Sequence, residues 1–409
     1  MNPFTKTLSA CLGLICLSAA GQVAAQTTAP LLKQSDLVYQ GAFRLPQLSA
    51  DENSFAWGGT SLGYNPANNS LFIRGHDNAQ RTAEVKIPAL VNSSDISRMV
   101  TATILQSLTD ATEGKLSSIN PLDTNGQKVG GYLVSNGNLY ISGYSFYDGS
   151  GTQRSSHFVR PLNMSTKGQV LGPYKVGSSY PGYYSLYMTQ IPAEWQSLLG
   201  GPALTGGCCL SITSLQSNGP AVSVFDPAKL GSGTTTPAID LVGYPLGSNL
   251  GPGETTQNNL FNLATKIKGV VFPTGTRSVL FFGRQGIGAY CYGDGGPCGD
   301  PSDQYKGPHA YPYVYQIWAY DANDLLAVKQ GSKSRSQIQP YGLWNFSLPT
   351  ESRQSSRLVG GAAYDAKNQL IYISQECADS NCVAIIHAFK VGGGQPTVTP
   401  NPPNPVSVQ

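Results

Sequence analysis

Short apolar stretches broken by Gly, Asn, Asp and Pro run the length of the chain, and one phrase recurs among them. It is a Gly-led strand, a tight turn, and a second strand that ends in Gly or a polar residue. Copies stand at GGTSLGYNPANNSLFIRGHD (58–77), GGYLVSNGNLYISGYS (130–145), GVVFPTGTRSVLFFGRQG (269–286) and GGAAYDAKNQLIYISQE (360–376). The inner turns carry the residues that hairpins require. A degenerate copy lies between the second and the fourth of the five: GYYSLYMTQIP (182–192), an insert with a short helix expected near Ala193–Leu199, then CLSITSL (209–215) as its second strand. A third strand is predicted after each pair, at 83–88, 157–162, 221–227, 314–321 and 383–391. Fourth strands are predicted at 99–108, 170–176, 238–246 and 339–349. The fifth unit has none, but LVYQGAFRLP (37–46) stands unused at the start and resembles QPYGLWNFSLP (339–349). The economical solution is a ring in which the N-terminal strand completes the last unit.

That pattern predicts an all-β fold, a five-bladed β-propeller closed by the N-terminal strand. Closure has a physical reason: each sheet buries its faces on its neighbours, so no unit is stable alone. The alternative is a six- or seven-bladed ring with further blades inside 105–130 and 245–268. A β-sandwich fits less well, because the Gly-Gly openings recur at the same point of each unit.

Composition narrows the function. Of 409 residues only 12% are charged, and 26 basic residues nearly cancel 23 acidic ones, giving a net charge of +3. Bulk charge therefore argues against a nucleic-acid partner. Residues 1–25 read as a signal peptide: Lys6, the apolar stretch 8–20, then small residues at 23–25. The propeller domain is expected over 26–391 and a Pro-rich tail or linker over 392–409. No later run reaches the roughly 20 apolar residues that span a bilayer. An exported monomer, extracellular or periplasmic, is the expectation. Six cysteines then remain, and an even number in an exported chain suggests disulfides. Spacing pairs Cys291 with Cys298 and Cys377 with Cys382. Cys208 and Cys209 are left to form a vicinal bond, offering a stiff platform for a ligand ring, or to stay reduced.

Over residues 37–391 the chain resembles secreted five-bladed propellers, a class that includes arabinan- and fructan-cleaving glycosidases and sugar-binding lectins. The resemblance is one of architecture, so it carries no family's catalytic residues onto this sequence, and fold alone does not set function.

Long loops fall on one face of the predicted ring, at 47–57, 109–129, 247–268, 284–313 and 350–358, and binding sites are built from such loops. Aligned on their ends, the second strands LFIRG, LYISG, VLFFG and IYISQ are followed by His76, Tyr144, Arg284 and Glu376. Four equivalent positions thus carry four different titratable or cationic side chains. With Asp77 and His309 they form the candidate catalytic set. Arg74, Trp57, Tyr147, Tyr290 and Tyr311 form the candidate substrate-binding set. Arg with His or Tyr is the equipment of β-elimination on an acidic polysaccharide. Asp77 and Glu376 suit hydrolysis, which needs a carboxylate pair. The leading expectation is an exported polysaccharide-degrading enzyme, a lyase ahead of a glycoside hydrolase. The alternative is a non-catalytic glycan- or surface-binding module. No cofactor is required, though Asp294, Asp300 and Asp303 in a Gly-rich loop offer oxygen ligands for calcium. The plain reading of that loop is a stapled turn-rich segment.

Overall fold

The computed structural model describes residues 28–49, 51–123, 126–252, 258–352 and 355–392. The expected signal peptide and the tail from 393 onward lie outside the described residues. Strand β1 (Leu37–Arg44) opens the chain. Blade 1 follows as β2 (Leu62–Asn65), β3 (Ser70–Arg74), β4 (Thr82–Lys86) and β5 (Thr103–Thr109). Blade 2 holds β6 (Gln127–Ser135), β7 (Asn138–Ser145), β8 (His157–Pro161) and β9 (Leu171–Tyr174). Blade 3 holds β10 (Tyr187–Gln190), β11 (Ala203–Gly206), β12 (Val222–Phe225) and β13 (Ala238–Val242). Blade 4 is β14 (Lys266–Val271), β15 (Ser278–Gly286), β18 (Tyr313–Asp321) and β19 (Gly342–Phe346). The β15–β18 connection carries a small ribbon, β16 (Cys291–Gly293) with β17 (Gly307–His309). Blade 5 is β20 (Val359–Asp365), β21 (Leu370–Gln375) and β22 (Ile385–Val391), completed by β1.

The chain is a five-bladed β-propeller. Strand β1 runs antiparallel to β22, from Leu37 opposite Val391 to Arg44 opposite Ile385, with a bulge between Tyr39 and Gly41. The segments 105–130 and 245–268 add no blade among the described residues.

Five apolar clusters hold the ring, one at each junction between blades. Phe43, Leu62, Tyr372 and Ile386 join blades 5 and 1. Phe72, Tyr132 and Ile141 join blades 1 and 2. Tyr140, Met188 and Phe225 join blades 2 and 3. Tyr244, Phe281 and Trp318 join blades 3 and 4, while Phe282, Ile317 and Ile373 join blades 4 and 5. The recurring Gly-Gly phrase has its reason at the axis. A Cβ on Gly130 would stand 1.7 Å from the Ser185 carbonyl oxygen, and one on Gly360 would stand 2.0 Å from that of Gly59. Backbone therefore meets backbone where the innermost strands converge, and only glycine allows it.

Two local expectations change. The second strand of blade 3 is β11, not 209–215; residues 213–215 instead form a 3-10 turn. Cys209 has φ +65°, a left-handed conformation that extended strand excludes. The face opposite the long loops also carries two short helices. Helices α1 (Ala193–Leu199) and α2 (Ala322–Lys329) meet there, with Lys329 Nζ donating to the Leu198 carbonyl at 2.5 Å. Helix α2 was not foreseen: its Asp321 cap, which accepts from the Asn323 amide, lies at the end of a predicted strand.

Candidate functional site

The strand ends on the long-loop face supply the site, and cross-strand register fixes which side chains meet. In blade 2, Lys128 at the start of β6 lies opposite Tyr144 near the end of β7. In blade 4, Lys266 at the start of β14 lies opposite Arg284 near the end of β15. Arg74 ends β3, and Glu376 follows β21, its amide donating to the Leu358 carbonyl at 3.0 Å.

These residues form a continuous electrostatic network across blades 1, 2, 4 and 5. Asp77 accepts from Arg74 Nη2 at 2.8 Å and from Lys128 Nζ at 2.7 Å. Burial alone would raise the Asp77 carboxyl, but Arg74 and Lys128, with Lys268 farther off, outweigh it and hold the group below its usual range. Glu376 Oε1 accepts from Lys268 Nζ at 2.8 Å. Tyr144 is within electrostatic reach of both carboxylates. Burial pushes its phenol up to about 12, opposed by Arg74 and reinforced by Asp77 and Glu376. Lys266 donates from Nζ to the Cys209 carbonyl at 3.2 Å. Burial, then Arg284, then Lys268 bring its ammonium down to about 8, against a weaker pull from Asp303. The Arg284 guanidinium lies 4.0 Å over the Tyr313 ring and donates from Nη1 to the Ser356 carbonyl at 3.0 Å. Its Nε is buried with no partner among the described residues, and so is that of Arg74. Five cations (Arg74, Lys128, Lys266, Lys268 and Arg284) thus face two carboxylates (Asp77 and Glu376). The site carries an excess of positive charge.

Of the expected set, Tyr144, Arg284, Glu376, Asp77 and Arg74 come together. His76 lies one residue from Asp77, but its Nδ1 accepts from the Asn78 amide at 3.2 Å and so caps its own turn. His309 is engaged elsewhere. Its Nδ1 pairs with Asp300 at 2.8 Å, its Nε2 faces the Tyr305 and Gly293 carbonyls, and the ring is buried. Burial opposes charge on His309, but the bonds to Asp300 and Tyr305 prevail and raise its pKa. Asp300 also accepts from Tyr313 and Ser302, and against its burial these donors bring it to about 2. His309 and Asp300 therefore pin the loop that Cys291–Cys298 staples. Trp57 and Tyr147 are exposed on the rim, whereas Tyr290 and Tyr311 are half-buried, with Tyr311 edge-on to Tyr313.

The other two disulfides are Cys377–Cys382 and the vicinal Cys208–Cys209. Cys208 and Cys209 are buried in the cluster between blades 3 and 4, so the pair is core and not an open platform. With Asp300 committed to His309, Tyr313 and Ser302, the Asp294, Asp300 and Asp303 group does not assemble a calcium cage. Among the described residues no group of three or more His, Cys, Asp or Glu is arranged around a metal site.

Sequence reasoning missed Lys128, Lys266 and Lys268. The trace was present: each stands just before the Gly that opens its blade, across from or beside a strand-end residue already singled out.

No family model matches the chain, and no curated protein matches it. Solved structures do. The endo-arabinanase of Bacillus licheniformis is 14% identical with a TM-score of 0.42, over 85% of this chain and 95% of its own. The native arabinanase of Bacillus subtilis is 12% identical with a TM-score of 0.43, over 86% and 96%. A luciferin-regenerating enzyme is 9% identical with a TM-score of 0.34, over 86% and 96%. Likeness at this level concerns fold, and the chemistry has to be argued from the residues themselves.

Proposed function

We propose that the protein is an exported enzyme that cleaves an acidic polysaccharide by β-elimination on the long-loop face. The observation that carries this reading is the cation excess of the site, above all the cross-strand pair Lys266 and Arg284. Like charges directly opposite each other repel, and neither has a salt-bridged carboxylate among the described residues. A uronate carboxylate is the group that the Arg284 guanidinium accommodates at this pair. Elimination needs that carboxylate neutralised, the adjacent proton removed, and the leaving oxygen protonated. Tyr144 retains its proton at working pH and suits the last task.

Hydrolysis fits less well. It needs one carboxyl held as an acid, and both Asp77 and Glu376 are tied to cations. A repeating lectin site also fits less well, because equivalent blade positions carry different residues. The three disulfides agree with an oxidising compartment. No described helix is long and apolar enough to cross a membrane.

The test is incubation with acidic and neutral polysaccharides, following ultraviolet absorbance and reducing ends together. Elimination from an acidic chain raises both. Reducing ends without absorbance indicate hydrolysis, and neither signal from any chain overturns the enzymatic reading. Tyr144→Phe is expected to lower the rate about 100-fold or more, the span of a positioned proton donor.

A further inference from the structure

Elimination also requires a proton acceptor, and neither histidine first considered provides one. His76 caps its own turn and His309 is locked to Asp300. His157 and His387 are fully buried and bonded on both ring nitrogens, His157 to Ser156 and Thr205, His387 to Tyr39 and Gln375. Asp77 and Glu376 are spoken for by Arg74, Lys128 and Lys268.

Lys266 differs from the other lysines of the site. Lys128 and Lys268 each hold a carboxylate, whereas Lys266 donates only to the Cys209 carbonyl among the described contacts. The charged groups that act on it are Arg284 across the strand pair, Lys268 two residues along β14, and Asp303 on the stapled loop. Burial first, and then the two neighbouring cations, make the Lys266 proton easier to lose, against the pull of Asp303. The Cys209 carbonyl fixes the amine's position, because Cys208 and Cys209 are joined and packed in the core between blades 3 and 4.

We propose that the Lys266 amine is the proton acceptor of the elimination, working beside Arg284, which holds the substrate carboxylate. This role rests on the eliminative reading of the site. The amine lone pair takes the proton from the carbon that bears the carboxylate. The C–H electrons form the new carbon–carbon double bond, and the bond to the glycosidic oxygen breaks with its electrons on oxygen. That oxygen takes the Tyr144 phenolic proton. Lys266 leaves the step as ammonium and Tyr144 as phenolate, so charge balances, and proton exchange with water restores both. The same Arg284 that neutralises substrate keeps the resting lysine from holding its proton tightly.

The decisive variant is Lys266→Arg, which keeps the positive charge but does not release a proton near neutral pH. It is expected to keep KM within about threefold and lose about 100-fold or more in kcat, with the melting curve of the wild type. Retention of kcat in Lys266→Arg overturns the proposal, because it leaves Lys266 only the task of holding an anion. Wild-type protein that yields no unsaturated product from any acidic chain fails earlier and overturns the eliminative reading with it. A second measurement avoids variants: acetylation of Lys266 in the wild-type protein, followed by peptide mass spectrometry against pH. Half-maximal reactivity near the pH of an ordinary lysine, instead of near pH 8 as its burial and neighbouring cations dictate, overturns the proposal independently of turnover.

Discussion

Replacing Phe43 by Ala tests the closure on which the site depends. Phe43 lies on β1, opposite Ile386 of β22, with no exposed surface, inside the cluster that joins blade 5 to blade 1. That junction brings the blade of Glu376 beside the blade of Asp77 and Arg74. Truncating a buried Phe to Ala removes its transfer free energy and leaves a cavity, costing about 3–5 kcal/mol. With a urea slope of about 3 kcal/mol per molar, the unfolding midpoint falls by about 1–1.7 M. The control lies on the same strand. Val38 pairs with Lys390 but is 51% exposed, and its change to Ala moves the midpoint by no more than about 0.2 M, as expected at the surface. Urea titration followed by tryptophan fluorescence reads both. Equal midpoints for the two variants refute the reasoning, because they mean that the N-terminal strand does not share a core with the last blade.

Other outcomes follow from the same residues. Gly130→Ala places a methyl where the Ser185 carbonyl oxygen stands 1.7 Å away; overpacking of this kind costs about 1–3 kcal/mol or more, read as a lower melting temperature. Buried neutral His157 and His387 are both brought to about 3 by burial. Below about pH 6.5 the unfolded chain binds protons that the native ring refuses, so stability falls on acidification. His387→Gln should flatten that slope, and an unchanged slope counts against the assignment. For the stapled loop the signs differ. The raised pKa of His309 contributes protection that is complete below its unfolded value and lost as pH rises through the folded one. The depressed pKa of Asp300 contributes protection above about pH 3.9 that is lost as pH falls toward 2. Hydrogen-exchange protection in 291–309, taken relative to the unstructured chain at the same pH, should therefore be greatest in mildly acidic buffer.

Much of the ring was legible because its grammar is local. Gly-Gly openings, hairpin turns and alternating strands announce the blades, and the orphan strand at 37–46 announces the closure. Blade 3 was misread where a left-handed Cys209 interrupts what looks like an apolar strand. The site was half legible. Tyr144, Arg284 and Glu376 follow from aligning second strands, but their lysine partners depend on register across a hairpin, which a one-dimensional alignment of second strands leaves out. His309 looked available because sequence does not reveal that Asp300, nine residues away, turns inward to meet it.

The meeting of backbones at Gly130 and Gly360 has a consequence for traffic. Neighbouring innermost strands packed backbone to backbone leave the described centre of the ring narrow. On the proposed reading, a long substrate therefore lies across the long-loop face, where the charged side chains gather, and not along the axis.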